Sequence, residues 1–390
     1  MAKKLILTIE NSLKDFEKKG NLDFSLEYYN PNNYFDEVYF ISYNPEDLEI
    51  KHAKKWLKIK VPKYFIFLKR IKNIKILLLI FGFFTYFIHV FYLFSLIKKH
   101  HIDIARTGHP YMMSFALWLA SKMASIPFIP TIGGDNRLAQ EKIGRYHILN
   151  NKYISYKIEE FILARSTCVI VPNEYTKNYV ISISGQKEIK VIPLPLRKEI
   201  YEYSAKSSNA AAESNFFLFI GRFVGDKHPD FVLKTYAKLI AIHPEYNMKL
   251  IMIGDGEMYK ELNNFVVDNN LQDKVIFTGF LQATDIIHYL QSKPICLIPV
   301  SGYVIYEAAI FENIIITSDI EWHSEFIDDG KNGWVAQYLD ETDWIRKIEN
   351  VLFDIKNAQS KAVLLKKKIM PPVDIYTKQI EMYKEVSDEK

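Results

Sequence analysis

Cysteine is scarce in this sequence, and its scarcity excludes two kinds of protein. The 390 residues include two cysteines, Cys168 and Cys296, each within a short apolar run. Two thiols cannot form a disulfide-rich scaffold or a cysteine-rich zinc site, and two buried thiols indicate a reducing compartment. The apolar run at residues 5–9 is too short for the core of a secretory signal and is typical of a first strand. The sequence therefore predicts a cytoplasmic protein.

Motifs for metals, nucleic acids and glycoside hydrolysis are also missing. His100 and His101 are adjacent, which is not the ligand spacing of a helical metal site, and no HExxH sequence occurs. The net charge of +4 is modest, and no nucleic-acid recognition motif accompanies it. The sequence presents no carboxylate nucleophile of the hydrolase type. We therefore expect no metal, no cofactor and no nucleic-acid partner.

Acidic residues are absent from one long stretch of the first half. Residues 51–75 contain ten Lys or Arg residues, interleaved with four aromatic residues, and no Asp or Glu. Residues 76–97 contain no charged residue and are rich in Leu, Ile and Phe. This combination is typical of a helix lying on an anionic membrane surface, so segment 51–97 is predicted to face a membrane peripherally. A helix buried between domains and a transmembrane span remain as alternatives, and the polar residues Tyr86 and His89 disfavour the span.

Short apolar runs alternate with longer helix-like segments, most clearly in the second half. Predicted strands lie at 5–9, 38–42, 102–106, 128–132, 168–171 and 190–193, and then at 216–220, 249–253, 275–278, 295–298 and 314–317. This alternation predicts parallel sheets covered on both faces. The sequence therefore predicts an α/β protein with two Rossmann-like, doubly wound domains facing a central cleft, where ligands bind beyond the carboxyl ends of the strands.

Composition also suggests where the domains divide. Residues 204–214 are rich in Ser, Ala and Asn, as expected of a soft connection. We predict a first domain at 1–200, a linker at 201–215, a second domain at 216–365 and a helical tail at 366–390.

Three loops of the second half carry residues suited to a nucleoside diphosphate. Arg222 and Lys227 follow the strand 216–220 and can converge on a diphosphate, although a solvated loop is an alternative. The Gly254-Asp255-Gly256 turn lets the backbone approach a ligand closely, or is a plain strand-to-helix turn. Gly302 stands where a helix begins, a position that favours phosphate. Glu307 lies one turn further on and can accept hydrogen bonds from a ribose diol, or is an exposed helical glutamate.

The order and spacing of these loops resemble the C-terminal domain of the family-4 glycosyltransferases, also called glycosyl transferases group 1. The matching strings are GRFVGDK, GDG, SGYVIYEAAI and EFIDDGKNGWV, and the resemblance covers residues 216–351 well. It implies a GT-B fold, a nucleotide-sugar donor and retention of the anomeric configuration. It also implies that Arg222 and Lys227 hold the donor diphosphate, that Glu307 holds the ribose, and that Gly302, with Gly221 and Gly254, shapes the donor site.

The first half resembles the family more faintly, and both halves depart from its pattern. His109 matches a histidine that the family places opposite the donor sugar, and a turn histidine without a role is the alternative. Asp135 and Arg137 lie in a loop like one that reaches the acceptor. The family's glycine-rich loop after the first strand is absent, because Glu10-Asn11-Ser12 stands there. Pro299 occupies the place of a glutamate that usually contacts the donor sugar.

The predicted function is transfer of a sugar from a nucleoside-diphosphate sugar to a glycan or lipid-linked acceptor. A non-catalytic protein of the same fold, which binds a nucleotide sugar or docks on a membrane complex, is the alternative that Pro299 favours. A sugar-nucleotide epimerase on the same fold would need further acid and base groups that the sequence does not display.

Overall fold

A computed structural model describes residues 2–9, 12–50, 54–62, 64, 75–143, 151–206, 215–300 and 302–388. Backbone alone is described for residues 75–83, 139, 142 and 143. The chain divides into two compact units. The first unit comprises residues 1–193 and 373–390, and the second comprises residues 194–372. Glu10, Asn11 and much of the predicted basic segment and linker lie outside the described residues.

The first unit contains a parallel sheet of short strands, most of which are buried, while the strands at its two ends are partly exposed. Its strands are β1 (Lys4–Thr8), β2 (Glu37–Ile41), β3 (Leu57–Lys60), β4 (Ile104–Thr107), β5 (Phe128–Pro130), β6 (Val169–Val171) and β7 (Ile189–Val191). The order β3-β2-β1-β4-β5 continues into the β6-β7 pair through a parallel bridge between Thr131 and Ile170. The chain reverses its direction of winding between β1 and β4, and ligands of doubly wound sheets bind at such a switch point.

Helices cover this sheet. They are α1 (Leu13–Lys18), α2 (Leu22–Tyr29), α3 (Lys75–His100), α4 (Met112–Ala124), α5 (Asn136–Ile143), α6 (Lys152–Ala164) and α7 (Glu174–Ser184). The buried faces of α3 and α4 pack against each other, and small residues such as Ala116 and Ala120 let the two helices approach closely. Among the described residues, no helix combines the length and the apolar character that crossing a bilayer requires.

The second unit contains a six-stranded parallel sheet in the order β10-β9-β8-β11-β12-β13. Its strands are β8 (Phe216–Ile220), β9 (Lys249–Ile253), β10 (Val275–Gly279), β11 (Ile295–Ile298), β12 (Ile314–Ser318) and β13 (Trp334–Ala336). Its helices are α8 (Lys198–Lys206), α9 (Pro229–Ile242), α10 (Tyr259–Asp268), α11 (Ala283–Gln291), α12 (Tyr303–Ile310), α13 (His323–Phe326), α14 (Glu341–Phe353) and α15 (Ile355–Lys366). The switch point of this sheet lies between β8 and β11.

The last helix, α16 (Pro372–Asp388), belongs to the first unit and encloses a buried cation there. Arg106 of β4 is fully buried, and its guanidinium hydrogen-bonds to the Tyr383 hydroxyl and to Thr131 Oγ1 (3.1 Å). The rings of Tyr28 and Tyr29 lie 4.9 and 4.8 Å from the guanidinium carbon. These π faces partly compensate for the desolvation of the charge.

Three elements differ from the sequence-based expectation. Strand β3 lies inside the basic stretch, where no strand was predicted. A basic stretch can form an edge strand because Leu57 is buried while the lysines beside it reach solvent. Helix α8 occupies part of the predicted linker and buries Ile200. The predicted tail is the α16 helix, whose Tyr383 and Met382 are core residues of the first unit.

Candidate functional site

The loop after β8 brings the two predicted diphosphate ligands to one point. Arg222 Nη2 and Lys227 Nζ each lie 3.7 Å from the same oxygen, Oδ2 of Asp226. The arginine is 67% exposed and the lysine 28% exposed, so both charges remain accessible. Such weak, solvated ion pairs contribute little to stability. The two cations are therefore available to an anion that can replace or share the Asp226 contact.

The Gly254-Asp255-Gly256 turn supports this loop through its backbone. Gly221 N–H donates to Ile253 O (3.0 Å) and Phe223 N–H donates to Asp255 O (2.9 Å). Gly254 has a φ of +148°, and a Cβ there would lie 1.9 Å from Gly221 O. No side chain fits at that distance, so glycine at 254 is required by packing between two loops. Gly221 and Gly254 thus shape the loop that carries Arg222.

Helix α12 follows β11, the strand that neighbours β8, so its N-terminus lies at the same sheet edge as the Arg222 loop. Gly302 is its N-cap and has no side chain with which to cap the helix, and a helix N-terminus is a favourable position for an anion. A Cβ at Gly302 would meet no atom within 4 Å, so the space beside the helix end is open.

Glu307 lies on α12 and is only 6% exposed. Burial raises the pKa of its carboxyl group, while the positive charge of Arg197 opposes that rise. Within the described part of the chain, no side chain hydrogen-bonds to this carboxyl group, which leaves its oxygens for a ligand. Sequence analysis did not identify Arg197. This residue lies in the segment before α8, far from Glu307 in the chain, and it acts on Glu307 through its charge.

In the first unit, a pocket of about 320 Å³ lies at the switch point between β1 and β4. It is lined by Thr8, Ile9, Tyr43, Thr107, His109, Tyr111, Met112, Met113 and Ser114. Its hydroxyl groups are linked, since Thr107 Oγ1 lies 3.1 Å from Thr8 Oγ1 and 2.6 Å from Ser114 Oγ. Sequence analysis identified His109 but missed these hydroxyl groups, because β1 and β4 are neighbours only in the folded sheet.

His109 is held in the wall of this pocket. Its ring stacks on Tyr111 with a centroid distance of 6.2 Å, and its carbonyl oxygen accepts a hydrogen bond from Ser114 Oγ. Burial lowers the pKa of the imidazole from 6.5 to about 4. The side chain is therefore a neutral imidazole at physiological pH, able to donate or accept a hydrogen bond without a formal charge.

We expect His109 to titrate with a midpoint near pH 4. The unfolded chain takes up this proton near pH 6.5, so the group lowers the free energy of unfolding as the pH falls from 6.5 to about 4. NMR titration of the histidine ring signals checks the midpoint, with His109→Gln identifying the signal. A midpoint above pH 6 would contradict this assignment.

The two predicted acceptor-side residues both make contacts within the first unit. Asp135 Oδ1 accepts hydrogen bonds from the N–H groups of Arg137 (3.0 Å) and Leu138 (2.9 Å) at the start of α5. Arg137 bridges buried Glu159 (3.1 Å) and Glu160 (3.0 Å), and its guanidinium stacks on Tyr156. Asp135 thus caps a helix, and Arg137 neutralises a buried carboxylate.

Two family profiles match most of the chain. Glycosyltransferase Family 4 matches residues 41–197, and glycosyl transferases group 1 matches residues 202–362. Among curated proteins, an uncharacterized glycosyltransferase of Methanocaldococcus jannaschii is 25% identical over 258 residues, 65% of this chain and 66% of its own. The alpha-monoglucosyldiacylglycerol synthase of Streptococcus pneumoniae is 23% identical over 209 residues, 51% of this chain and 46% of its own. The chain thus spans less than two thirds of either relative.

A solved structure extends the likeness over almost the whole fold. Anabaena HepE, in complex with UDP, is 15% identical with a TM-score of 0.71, covering 98% of this chain and all of its own. At 15% sequence identity, the likeness to this structure shows the fold alone. The family is shown by the two profile matches. The chain therefore belongs to the family-4 glycosyltransferases of group 1, enzymes of glycosyl transfer with the GT-B fold.

Proposed function

We propose that the second unit binds a nucleoside-diphosphate sugar and that the sugar is transferred to an acceptor hydroxyl group bound in the first unit. One observation carries the donor half of this proposal. Two accessible cations and a helix N-terminus with glycine at its N-cap follow the neighbouring strands β8 and β11. Side-chain forks, point charges and helix N–H groups are the groups that bind phosphates in proteins. Buried Glu307 on the same helix is suited to the ribose diol.

The proposed reaction breaks the bond between the anomeric carbon and the diphosphate oxygen. The bonding electrons leave with the nucleoside diphosphate, and the acceptor oxygen bonds to the anomeric carbon while its proton passes to the departing diphosphate. Arg222, Lys227 and the α12 N-terminus stabilise the charge that gathers on the leaving group, which is why we propose a metal-independent reaction. Retention of the anomeric configuration is supported by the family. Neutral His109 is proposed to lie beside the reacting sugar as a hydrogen-bonding group.

The uracil base is our first choice for the nucleotide, because the Anabaena protein of the same fold was solved with UDP. For the acceptor we propose a glycan or a lipid-linked molecule. The pneumococcal relative is named as a synthase of a glycosylated diacylglycerol, which supports the lipid class. A cytoplasmic enzyme attached peripherally to the inner membrane face belongs to the same proposal.

We expect UDP to raise the melting temperature of the purified protein by several degrees at millimolar concentration, and EDTA to leave that shift unchanged. A ligand that binds only the folded state stabilises it by about 2.7 kcal/mol at 100 times its Kd. Thermal-shift measurements with UDP, GDP and ADP, and with their common sugars, test the base as well as the diphosphate. The absence of a shift with every nucleotide would contradict the proposed donor site.

A further inference from the structure

The first unit contains a second pocket, near the amino ends of its strands. The pocket has a volume of about 400 Å³, which is within the usual range of ligand sites. It is lined by Trp118, Lys122, Ser125, Ile126, Pro127, Phe128, Arg165, Thr167 and Val386. Phe128 begins β5 and Thr167 precedes β6, whereas the His109 pocket lies where β1 and β4 end. Because these strands are parallel, the two pockets are separate sites.

Four polar side chains of the second pocket are hydrogen-bond donors suited to an anion. Lys122 and Arg165 are exposed, and neither cation pairs with an acidic side chain in the described part of the chain. Ser125 and Thr167 add hydroxyl groups, which donate no hydrogen bond to any described group. None of the described lining residues is acidic. Cations and hydroxyl groups without an acid among them suit a phosphate or a carboxylate.

The two cations lie at helix ends whose carbonyl groups already have other partners. Lys122 is in the last turn of α4, and Arg165 follows α6. A cation at such a place can serve only to balance the negative helix end. Here the Lys98 ammonium donates to a carbonyl group at the end of α4 (3.4 Å), and the Gln186 amide donates to one at the end of α6 (3.0 Å). The charges of Lys122 and Arg165 are therefore left for a ligand.

Aromatic side chains hold Arg165 in place and give the pocket an apolar surface. The guanidinium carbon of Arg165 lies 4.0 Å from the centroid of the Phe161 ring. Phe161 packs edge to face on Trp118 with a centroid distance of 5.0 Å, and Trp118 Nε1 donates to Arg165 O (3.3 Å). An arginine that is already stacked loses less freedom when it binds an anion. Trp118, Ile126 and Val386 can contact an apolar part of the same ligand.

Ser125 occupies a backbone position that favours glycine. It follows the last turn of α4 with a φ of +58°, in the left-handed region where helices commonly end at glycine. A side chain in this region costs about 1 kcal/mol. The serine therefore destabilises the helix end slightly, while it adds a hydroxyl group to the pocket.

We propose that the second pocket binds a small organic anion, whose phosphate or carboxylate group is held by Lys122, Arg165 and Ser125 while its apolar part lies against Trp118. The ligand is neither the donor nor the acceptor of the proposed transfer, because the pocket lies away from the carboxyl ends of the strands. This inference does not depend on the proposed function.

Isothermal titration calorimetry with phenyl phosphate tests the site, because this probe joins an anionic group to an apolar ring. We expect the wild-type protein to bind it in the millimolar range or more tightly. Arg165→Gln and Lys122→Gln should each weaken binding at least about tenfold, since each removes one charge-assisted contact. Lys18→Gln is the matched control, because Lys18 is also an exposed lysine in the last turn of a first-unit helix. It should bind the probe like the wild type.

Ser125→Gly separates a ligand contact from a structural role. Glycine suits the positive φ of this position, so the variant should have a higher melting temperature than the wild type. Loss of the hydroxyl group should nevertheless weaken phenyl phosphate binding several-fold. Wild-type affinity in this variant would contradict the proposed contact.

Three further probes test the chemistry of the ligand. Benzoate replaces the phosphate by a carboxylate, and the tighter of the two aromatic anions identifies the preferred anionic group. Phenol lacks the charge and inorganic phosphate lacks the ring, so each should bind at least about tenfold more weakly than phenyl phosphate.

Three results would overturn the second site. One is the absence of binding with both phenyl phosphate and benzoate. Another is phenol that binds as tightly as phenyl phosphate, which would show that charge has no part in the site. The third is phenyl phosphate binding that persists in Arg165→Gln and is lost in Arg222→Ala, which would assign the probe to the donor site.

Discussion

Arg222→Ala should weaken UDP binding and slow glycosyl transfer by about 100-fold or more. Removing one preorganised group from a developing negative charge costs about 3 kcal/mol. The surrounding charges increase the effect, because Asp226 stays in place and lies 3.7 Å from Lys227. Without Arg222 the summed charge of the three side chains falls from +1 to zero, so a diphosphate approaches a loop that has no net positive charge. Isothermal titration calorimetry with UDP measures the loss of affinity.

Arg346→Ala is a closely matched control for this prediction. Arg346 lies in the same unit, is 58% exposed and pairs with Asp343 on its own helix, much as Arg222 pairs with Asp226. Its removal should leave UDP binding unchanged. Neither variant should unfold the protein, because exposed ion pairs contribute less than about 1 kcal/mol. Wild-type affinity in Arg222→Ala would rule out the proposed diphosphate site.

Gly254→Ala should destabilise the second unit by about 3 kcal/mol or more. A methyl group at 254 would lie 1.9 Å from Gly221 O, and the atoms it meets are backbone that cannot rotate away. The backbone itself has a φ of +148°, which adds about 1–3 kcal/mol of strain for a residue other than glycine. Urea unfolding measures this loss, and UDP binding should weaken as well because the Arg222 loop must shift.

Gly225→Ala separates this packing effect from a general intolerance of substitution. Gly225 lies in the Arg222 loop itself, yet a Cβ there meets no atom within 4 Å and its φ is not positive. The free energy of unfolding of the Gly225→Ala protein should stay within about 0.5 kcal/mol of the wild-type value, as is usual for unconstrained surface positions. Equal stabilities of the Gly254 and Gly225 variants would show that the two loops can separate without cost.

Strand positions in the second unit follow closely from local sequence. The predicted runs at 216–220, 249–253 and 295–298 are the observed β8, β9 and β11. Parallel strands buried on both faces need uninterrupted apolar side chains, and such runs stand out between polar loops. Strand β3 was missed because it is a half-exposed edge strand, in which lysines alternate with apolar residues.

Sequence spacing identified Arg222 and Lys227 as a pair, since both residues lie in one loop. It could not show that Asp226 lies between them, because the direction of a side chain depends on the turn that the backbone takes. Asp135 and Arg137 illustrate the same limit. Their polar types suited a ligand, which stays a prediction, and only the structure shows that Asp135 caps a helix and that Arg137 pairs with Glu159.

The sequence by itself determined the fold class, the family and the loops that carry Arg222, Gly254 and Gly302, because apolar runs and short motifs are properties of neighbouring positions. Tertiary structure alone decided what those positions do together. It joined Thr8 to Thr107 in one pocket, gave Gly254 its role as a contact to Gly221, and turned one face of α3 towards solvent. Each of these outcomes depends on strand order or helix packing, which bring together residues that are distant in the chain.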